Sequence, residues 1–182
     1  MSGHDSPAQA GRMTPPEWNR VITTMILTRE GGYVDHPADR GGPTNYGVTM
    51  GILKEYRQKE VGVDDVKSLT LSDAVDLYYN RYVVKCGLDK LDPLLRDLVL
   101  DSVVNHGETG GIKMVQRAVG EVEDGRCGPR TIAAANSQPK LTYYGIIGCR
   151  MKKYAGIVNG DPSQLVFLAG WLNRLSSFVR PV

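Results

Sequence analysis

The sequence contains few cysteines, and their spacing excludes the common structural uses of this residue. Only three occur among 182 residues, at Cys86, Cys127 and Cys149. They form no C-x-x-C pair and have no accompanying histidine cluster, so a zinc site is not expected. An odd number also argues against a disulfide framework and favours reduced, buried thiols. We therefore expect a fold that depends on its apolar core, without metal or cofactor.

Long apolar runs and a strong charge of one sign are also missing. No apolar run approaches the roughly 20 residues of a membrane span. The first dozen residues, MSGHDSPAQAGR, lack the apolar core of a secretory signal, and residues 1–14 are expected to form a disordered tail. The net charge is +2. This mild basicity fits an anionic partner such as cell wall or nucleic acid but requires neither.

Most of the remaining chain has apolar residues at helical spacing. The first helix is predicted to begin at Pro15 and Pro16, with Thr14 as its N-cap, and to end at Gly31 and Gly32. Further helices are predicted in MGILKEYRQKE, with Thr49 as its cap, and in SLTLSDAVDLYYNRYVV, where Thr70-x-x-Asp73 is close to a capping box. The others are predicted in DPLLRDLVLDSVVNHG, TGGIKMVQRAVG, GPRTIAAANS, PKLTYYGIIGCRMKKYAGIVNG and DPSQLVFLAGWLNRLSSFV. The fold class is therefore mainly α, with a small irregular or β element after the first helix.

The segment TREGGYVDHPADRGGPTNYGVT, residues 28–49, concentrates carboxylates and small polar residues around two double glycines. Glu30 lies at the predicted end of the first helix, where the negative end of the helix dipole raises a carboxyl pKa. A carboxyl group that stays protonated near neutral pH suits a general acid. Glu30 is therefore the candidate catalytic acid. The alternative is a solvated helix end.

A second carboxylate, Asp39, follows nine residues later, with Thr44 and Asn45 just beyond. Two carboxyl groups around a scissile bond are typical of glycoside hydrolysis. Thr44 or Asn45 is a candidate to hold a water molecule, and the ring of Tyr46 to stack on a sugar. Aspartates beside proline and glycine also serve as ordinary turn residues, which is the alternative interpretation.

The stretch EGGYVDHPADRGGPTNYGVT closely resembles the signature of the glycoside hydrolase family 108 muramidases, which are phage endolysins and related bacterial proteins, some linked to secretion. LDSVVNHG and LAGWLNRL are similar to two helical stretches of the family. VQRAVGEVEDGRCGPRT resembles its C-terminal peptidoglycan-binding-like region, at Gln116, Asp124, Gly125, Gly128, Pro129 and Thr131. The resemblance covers about residues 15–178.

The resemblance implies a lysozyme-like helical fold that cleaves the β-1,4 bond between N-acetylmuramic acid and N-acetylglucosamine. It assigns a catalytic region to residues 15–107 and a peptidoglycan-binding-like region to residues 108–182, packed as part of the same domain. Glu30 becomes the catalytic acid of the EGGY motif. Asp39 and Thr44 resemble the Glu-Asp-Thr constellation of phage lysozymes, although the threonine spacing is one residue short of the commonest form.

Five residues are predicted to contact substrate: Tyr33, Asn45, Tyr46, Asp101 and Asn105. Asp101 and Asn105 lie four apart on one face of a predicted helix. They are candidates to line the floor of the cleft or to brace the Glu30 segment, and a bracing role is favoured.

A basic cluster of Arg150, Lys152 and Lys153 is interpreted as a solvated helix face. Near the C-terminus, Trp171 and Arg174 are interpreted as a core residue and a helix cap. The alternative for Trp171 is a contact with a sugar.

The predicted function is that of an endolysin-type muramidase acting on bacterial peptidoglycan. Alternatives are a secretion-associated wall-remodelling protein, a lytic transglycosylase and a non-catalytic wall-binding module. We expect a monomer without a nucleic-acid partner. It would be made in the bacterial cytoplasm and released to the periplasmic wall, by a holin or a secretion system.

Overall fold

The first helix, α1 (Pro16–Arg29), buries Trp18, Ile22, Met25 and Ile26 against the neighbouring helices. The computed structural model describes residues 14–29, 31–34 and 42–179, without the side chain of Arg29. The chain divides into two compact units, Met1–Arg81 and Tyr82–Val182. The predicted boundary at residues 107 and 108 stays a prediction, and the predicted N-terminal tail lies outside the described residues except for Thr14.

The small irregular or β element expected after α1 is a hairpin. Strands β1 (Thr44–Asn45) and β2 (Val48–Thr49) pair antiparallel, with Thr44 opposite Thr49. The two residues of the turn, Tyr46 and Gly47, have φ angles of 52° and 74°. Positive φ at both central residues is typical of the two-residue turns that match the twist of a hairpin.

The remaining helices of the first unit are α2 (Met50–Arg57), α3 (Val63–Lys67) and α4 (Leu71–Tyr78). A wider, π-helical turn, Tyr79–Val84, continues α4. Helix α3 was not predicted, because its five residues bury only Val66 and are too few to show a helical period.

Two of the predicted N-caps of this unit are confirmed. The hydroxyl of Thr49 accepts a hydrogen bond from the amide of Ile52. Thr70 and Asp73 form the reciprocal capping box that begins α4. The prediction that Thr14 caps α1 stays a prediction. Its hydroxyl donates to Oδ1 of Asp76 at 2.6 Å, 62 residues away in the chain, which leaves the hydroxyl oxygen able to accept a bond.

The second unit contains α5 (Arg96–His106), α6 (Glu108–Val119), α7 (Pro129–Ser137), α8 (Pro139–Gly160) and α9 (Leu165–Ser176). Short 3-10 turns lie at Leu88–Lys90, Pro93–Leu95 and Pro162–Gln164. Six consecutive residues of α5, Leu98 to Val103, are buried, so this helix is enclosed on every side along its middle. It packs against α6 and α8.

The mainly α architecture with one small β element is confirmed. None of the helices in the described part of the chain is long and apolar enough to cross a membrane.

Gly111 sets the distance between α5 and α6. A Cβ atom at this position would lie 2.6 Å from both the Cα and the amide nitrogen of Val103. Backbone atoms of an enclosed helix have no alternative rotamer, so a side chain at Gly111 must push the two helices apart. A Cβ atom at the preceding residue, Gly110, would meet only the Cβ of His106, at an ordinary 3.5 Å.

We predict that Gly111→Ala lowers the free energy of unfolding by about 1–3 kcal/mol, since it overpacks the α5–α6 contact. Gly110→Ala is the matched control. It is expected to be neutral or to stabilise by up to about 1 kcal/mol, because alanine is the better helix former. Urea unfolding followed by circular dichroism measures both. Equal stability of the two variants would contradict the proposed role of Gly111.

Candidate active site

The two carboxylates predicted to carry catalysis, Glu30 and Asp39, lie outside the described residues. The structure does describe the chain on either side of them. Helix α1 ends at Arg29, directly before Glu30, and Gly31 has a φ of 67°. This left-handed conformation ends the helix where the double glycine predicted it.

Val34 and Thr44 join the two sides of the segment that contains Asp39. The amide of each residue donates to the carbonyl of the other, and both bonds are 2.8 Å long. The chain therefore leaves and returns at one point, which is the fold-back that an approach of Asp39 to Glu30 requires. Thr44 is half-buried at this bridge, and its role with water stays a prediction.

Asn45 has a structural role. Its side chain is 5% exposed, and its amide nitrogen donates to the carbonyls of Val66, Lys67 and Leu69 at 3.1–3.3 Å. These carbonyls belong to the end of α3 and the residues after it, so Asn45 ties the hairpin to that helix end. This geometry favours structural bracing over the predicted contact with sugar or water, because the donor group is already committed to the protein.

The two tyrosines predicted to contact sugar differ in their surroundings. Tyr33 is 36% exposed, and the ammonium of Lys67 lies 5.9 Å from its ring centroid. A partly exposed aromatic ring is suited to stacking on a sugar. Tyr46 is half-buried at the hairpin turn, where its carbonyl accepts a hydrogen bond from the hydroxyl of Tyr78. Both substrate assignments stay predictions.

In the second unit, Asp101 is the centre of a buried ionic cluster. Its Oδ2 atom lies 2.7 Å from Nη1 of Arg150, and both side chains are fully buried. Its Oδ1 atom accepts from Nε of Arg174 at 3.0 Å and Nη2 at 2.9 Å. The hydroxyl of Tyr154 accepts two further bonds from the Arg150 guanidinium. The cluster links α5 to α8 and α9.

The predicted substrate role of Asp101 is not supported by this geometry. A carboxylate with no exposed surface does not reach a sugar, and both of its oxygens are bound by arginine. The favoured bracing role agrees with the contacts, but the partners are helices of the second unit. Asn105 is exposed, and its amide donates to the backbone carbonyl of Asp101 at 2.7 Å.

Arg150 has a structural role that was not predicted from the sequence. Its assignment to a solvated helix face is wrong, since its side chain is fully buried. Its position in α8 gave a usable signal, because it lies at helical spacing on the face formed by Tyr143, Ile146, Ile147 and Tyr154. A charged residue on an apolar stripe requires a buried partner.

The expectation that Arg174 is a helix cap is also wrong, because its guanidinium pairs with Asp101. Trp171 is half-buried, and its ring stacks on those of Tyr154 and Phe167, with centroid distances of 5.3 and 6.1 Å.

His106 ends α5 beside this cluster. Burial, followed by the nearby charges of Lys153 and Arg150, lowers the pKa of His106 to about 4. Its ring lies 5.9 Å from that of Tyr154, and its Nε2 atom is buried without a hydrogen-bond partner in the described part of the chain. The imidazole is therefore neutral at physiological pH.

Gln116 fixes the loop between α6 and α7. It is 1% exposed, and its amide nitrogen donates to Oδ1 of Asp124, the carbonyl of Arg126 and the hydroxyl of Thr131. Its amide oxygen accepts from the backbone of Gly125 at 2.9 Å. The bond from Gln116, followed by that from the Arg126 amide, lowers the pKa of Asp124. The loop between α6 and α7, which lies within the stretch VQRAVGEVEDGRCGPRT, is therefore a turn closed by its own hydrogen bonds.

Comparisons with known proteins agree with one another. A family model described as "Glycosyl hydrolase 108" matches residues 23–107, and one described as "Predicted Peptidoglycan domain" matches residues 110–176. Among solved structures, the chain is similar to "Structure of Brucella abortus SagA", with 30% sequence identity and a TM-score of 0.74 over 88% of this chain and 90% of that chain. No curated protein matches the chain.

We predict that Asp101→Asn lowers the free energy of unfolding by about 3–5 kcal/mol, because it leaves two arginines without their anion in the interior. Glu121→Gln is the control. It breaks the pair of Glu121 with the exposed guanidinium of Arg130, and the expected loss is below about 1 kcal/mol. Chemical denaturation measures both. If Asp101→Asn costs no more than the control, the cluster does not stabilise the helices.

We predict that His106 makes the protein less stable as pH falls from 6.5 to 4. Because the pKa is lower in the folded protein, the unfolded chain takes up a proton first as the pH falls. The stability contributed by neutral His106 is therefore fully present above the unfolded pKa of about 6.5 and is lost as the pH falls towards about 4. His106→Gln should lose less stability over this window. Because part of the ring is exposed to solvent, the effect is reduced, and we expect the Tm of the wild type to fall by about 2–4 °C more than that of the variant.

Calorimetry of both proteins at several pH values tests this prediction. The other two histidines and every carboxylate are present in both proteins, so the difference between the two curves isolates His106. Parallel curves would show that its protonation is not linked to folding.

Proposed function

The chain belongs to the glycosyl hydrolase 108 family and carries its C-terminal peptidoglycan domain, and from this membership we propose that it is an N-acetylmuramidase. The family and the likeness to SagA support the coarser statement that it is a glycosidase that degrades peptidoglycan. The finer proposal is hydrolysis of the β-1,4 bond between N-acetylmuramic acid and N-acetylglucosamine. The observation that carries it is the match of residues 23–107, which contain Glu30, Asp39 and Thr44.

In the proposed mechanism, Glu30 donates a proton to the glycosidic oxygen as the bond breaks. Its place directly after α1 supports this role, since the negative end of a helix favours the protonated acid. Asp39 either stabilises the positive charge that develops on the sugar or activates the attacking water. Thr44 helps to position that water. The Val34–Thr44 bridge supports this part of the proposal, because it brings both sides of the Asp39 segment together.

Hydrolysis is favoured over the lytic transglycosylase reaction. In hydrolysis, water attacks the anomeric carbon and leaves a reducing muramic acid end. In transglycosylation, the 6-hydroxyl of the sugar attacks instead and leaves a 1,6-anhydro end. The second reaction does not need another carboxylate, whereas this chain has Asp39 and Thr44 close to Glu30 in the sequence.

Delivery to the wall is part of the proposal. The enzyme would be made in the bacterial cytoplasm and would reach the periplasmic peptidoglycan through a holin or a secretion system, acting as a monomer. Endolysin and secretion-associated roles use the same bond cleavage, so the site chemistry is common to both.

We predict that the purified protein releases muropeptides with reducing muramic acid ends, and that Glu30→Gln abolishes this release. The glutamine keeps the size of the side chain but cannot donate the proton. A general acid contributes about 100- to 10,000-fold in rate, so the variant should retain at most about 1% of the activity. Mass spectrometry of digested peptidoglycan, before and after borohydride reduction, measures rate and product together.

Circular dichroism should show that Glu30→Gln is folded. Asp39→Asn is expected to lose most of the activity, and Thr44→Ala to lose less. A folded Glu30→Gln variant with the wild-type rate would refute the assignment of the acid. Products that are lighter by one water and resist reduction would show a transglycosylase, and Asp39 would then be a brace for its loop.

A further inference from the structure

A cavity of about 470 Å³ lies in the second unit, and none of its lining residues is assigned above to catalysis or substrate contact. Three stretches of the chain form it: residues 84–90, 108–112 and 125–128. Its size is within the range of about 300–1,000 Å³ that is typical of small-ligand sites. It is therefore large enough for one or two amino-acid residues of a ligand.

Close backbone contacts bring these stretches together. A Cβ atom at Gly125 would lie 2.6 Å from Cγ2 of Thr109, so the absence of a side chain favours the close approach of the 125–128 loop to the start of α6. A Cβ atom at Gly87 would lie 3.4 Å from the carbonyl oxygen of Cys127, which places these two loops in van der Waals contact. The cavity is thus bounded by closely packed backbone.

The charged residues that line the cavity are mainly cationic. They are Lys85, Lys90, Arg126 and Glu108, which gives three positive charges and one negative charge. Lys85 and Glu108 lie 3.3 Å apart and form a pair. Lys90 and Arg126 form no ion pair with any carboxylate of the described residues. The lining residues therefore carry a net positive charge, while the carboxylates of Asp89 and Asp124 lie near Cys127 and Arg126 outside the lining.

The backbone of both cationic residues is held in place by hydrogen bonds. The carbonyl of Lys90 accepts a hydrogen bond from the side-chain amide of Asn136 at 2.9 Å. The carbonyl of Arg126 accepts one from Gln116 at 3.1 Å, and its amide donates to Asp124 at 2.8 Å. Fixed backbone positions reduce the entropy that is lost when the side chains close on a ligand.

The remaining walls are apolar and small. Ile112 is 2% exposed, and Val84, Cys86 and Cys127 line the same space. Burial, followed by the charge of Asp89, raises the pKa of the Cys127 thiol to about 11, so this wall is uncharged at neutral pH. A ligand with a negative charge next to a short apolar side chain would complement both the cations and these apolar walls. Alanine with a free carboxylate has this chemistry.

We propose that this cavity binds the free C-terminal carboxylate of a peptidoglycan peptide stem. Lys90 and Arg126 receive the carboxylate, and the methyl group of a terminal alanine contacts Val84, which is exposed. The inference rests on the proposed function, because it takes peptidoglycan as the substrate. It assigns the second unit a role that is separate from bond cleavage: holding the peptide while the glycan is cut.

The test uses the full chain and a synthetic stem tetrapeptide, prepared both as the free acid and as its C-terminal amide. Isothermal titration calorimetry should show that the amide binds about tenfold more weakly or worse, because it loses the charge-assisted bonds. Lys90→Gln combined with Arg126→Gln should weaken binding of the free acid to the level of the amide. Lys90→Arg, which keeps the charge, should retain binding.

Lys140→Gln combined with Lys152→Gln is the matched control. It removes two exposed cations of α8 that do not line the cavity, and it should bind the free acid as the wild type does. Equal affinity for acid and amide, or unchanged binding by the Lys90→Gln/Arg126→Gln variant, would overturn the proposal. Binding of inorganic phosphate but not of the tetrapeptide would also overturn it, since the cavity would then be a phosphate site.

A digestion assay separates this inference from the proposed muramidase activity. On glycan strands stripped of their peptides, the Lys90→Gln/Arg126→Gln variant should match the wild-type rate. On intact peptidoglycan it should be slower at low substrate concentration. If the wild type cuts neither substrate but still binds the tetrapeptide, the muramidase proposal fails while the carboxylate site stands. If the variant is equally impaired on both substrates, the peptide-binding role fails.

Discussion

The buried carboxylate of Asp101 is the constraint on which the second unit depends. It lies in the enclosed middle of α5 and is bound by arginines from α8 and α9. Burying a charge is unfavourable unless its partners are well placed, so these helices have one arrangement in which all three charges are satisfied. Tyr154 extends the cluster by accepting bonds from Arg150, and its ring continues into the stack with Trp171. Charge and aromatic packing therefore fix the same helices.

The approach of α6 to α5 follows from a different physical cause. Gly111 lies against the backbone of Val103, and the absence of a side chain permits this close crossing. The loop after α6 is then held by Gln116, whose amide satisfies groups on both sides of the turn. The cavity at the start of α6 is a consequence of these contacts, because Gly125 must also lie close to Thr109. Small residues set the spacing, and a buried amide fixes the loop.

In the first unit, hydrogen bonds join the two ends of the segment that contains Asp39. The Val34–Thr44 bridge joins its two sides, and Asn45 anchors the adjoining hairpin to the end of α3. Residues proposed to act on the glycan thus adjoin residues that hold the backbone. This explains why neighbouring polar residues of one motif, Thr44 and Asn45, have different surroundings: one is at the bridge, and the other points into the interior.

The sequence by itself determined the helical class, the presence of a small separate element after α1, the caps at Thr49 and Thr70, and the family. These features depend on local patterns, such as apolar spacing, capping residues and paired glycines, which act over a few neighbouring residues. The candidate acid and its partner were also chosen from sequence, and their roles stay predictions. Only the tertiary structure decided that Arg150 is buried, that Asp101 is its partner 49 residues away, and that Asn45 binds the end of α3. A side chain's local sequence does not specify which distant group satisfies its charge or hydrogen bonds, because that partner is brought close only when the helices pack.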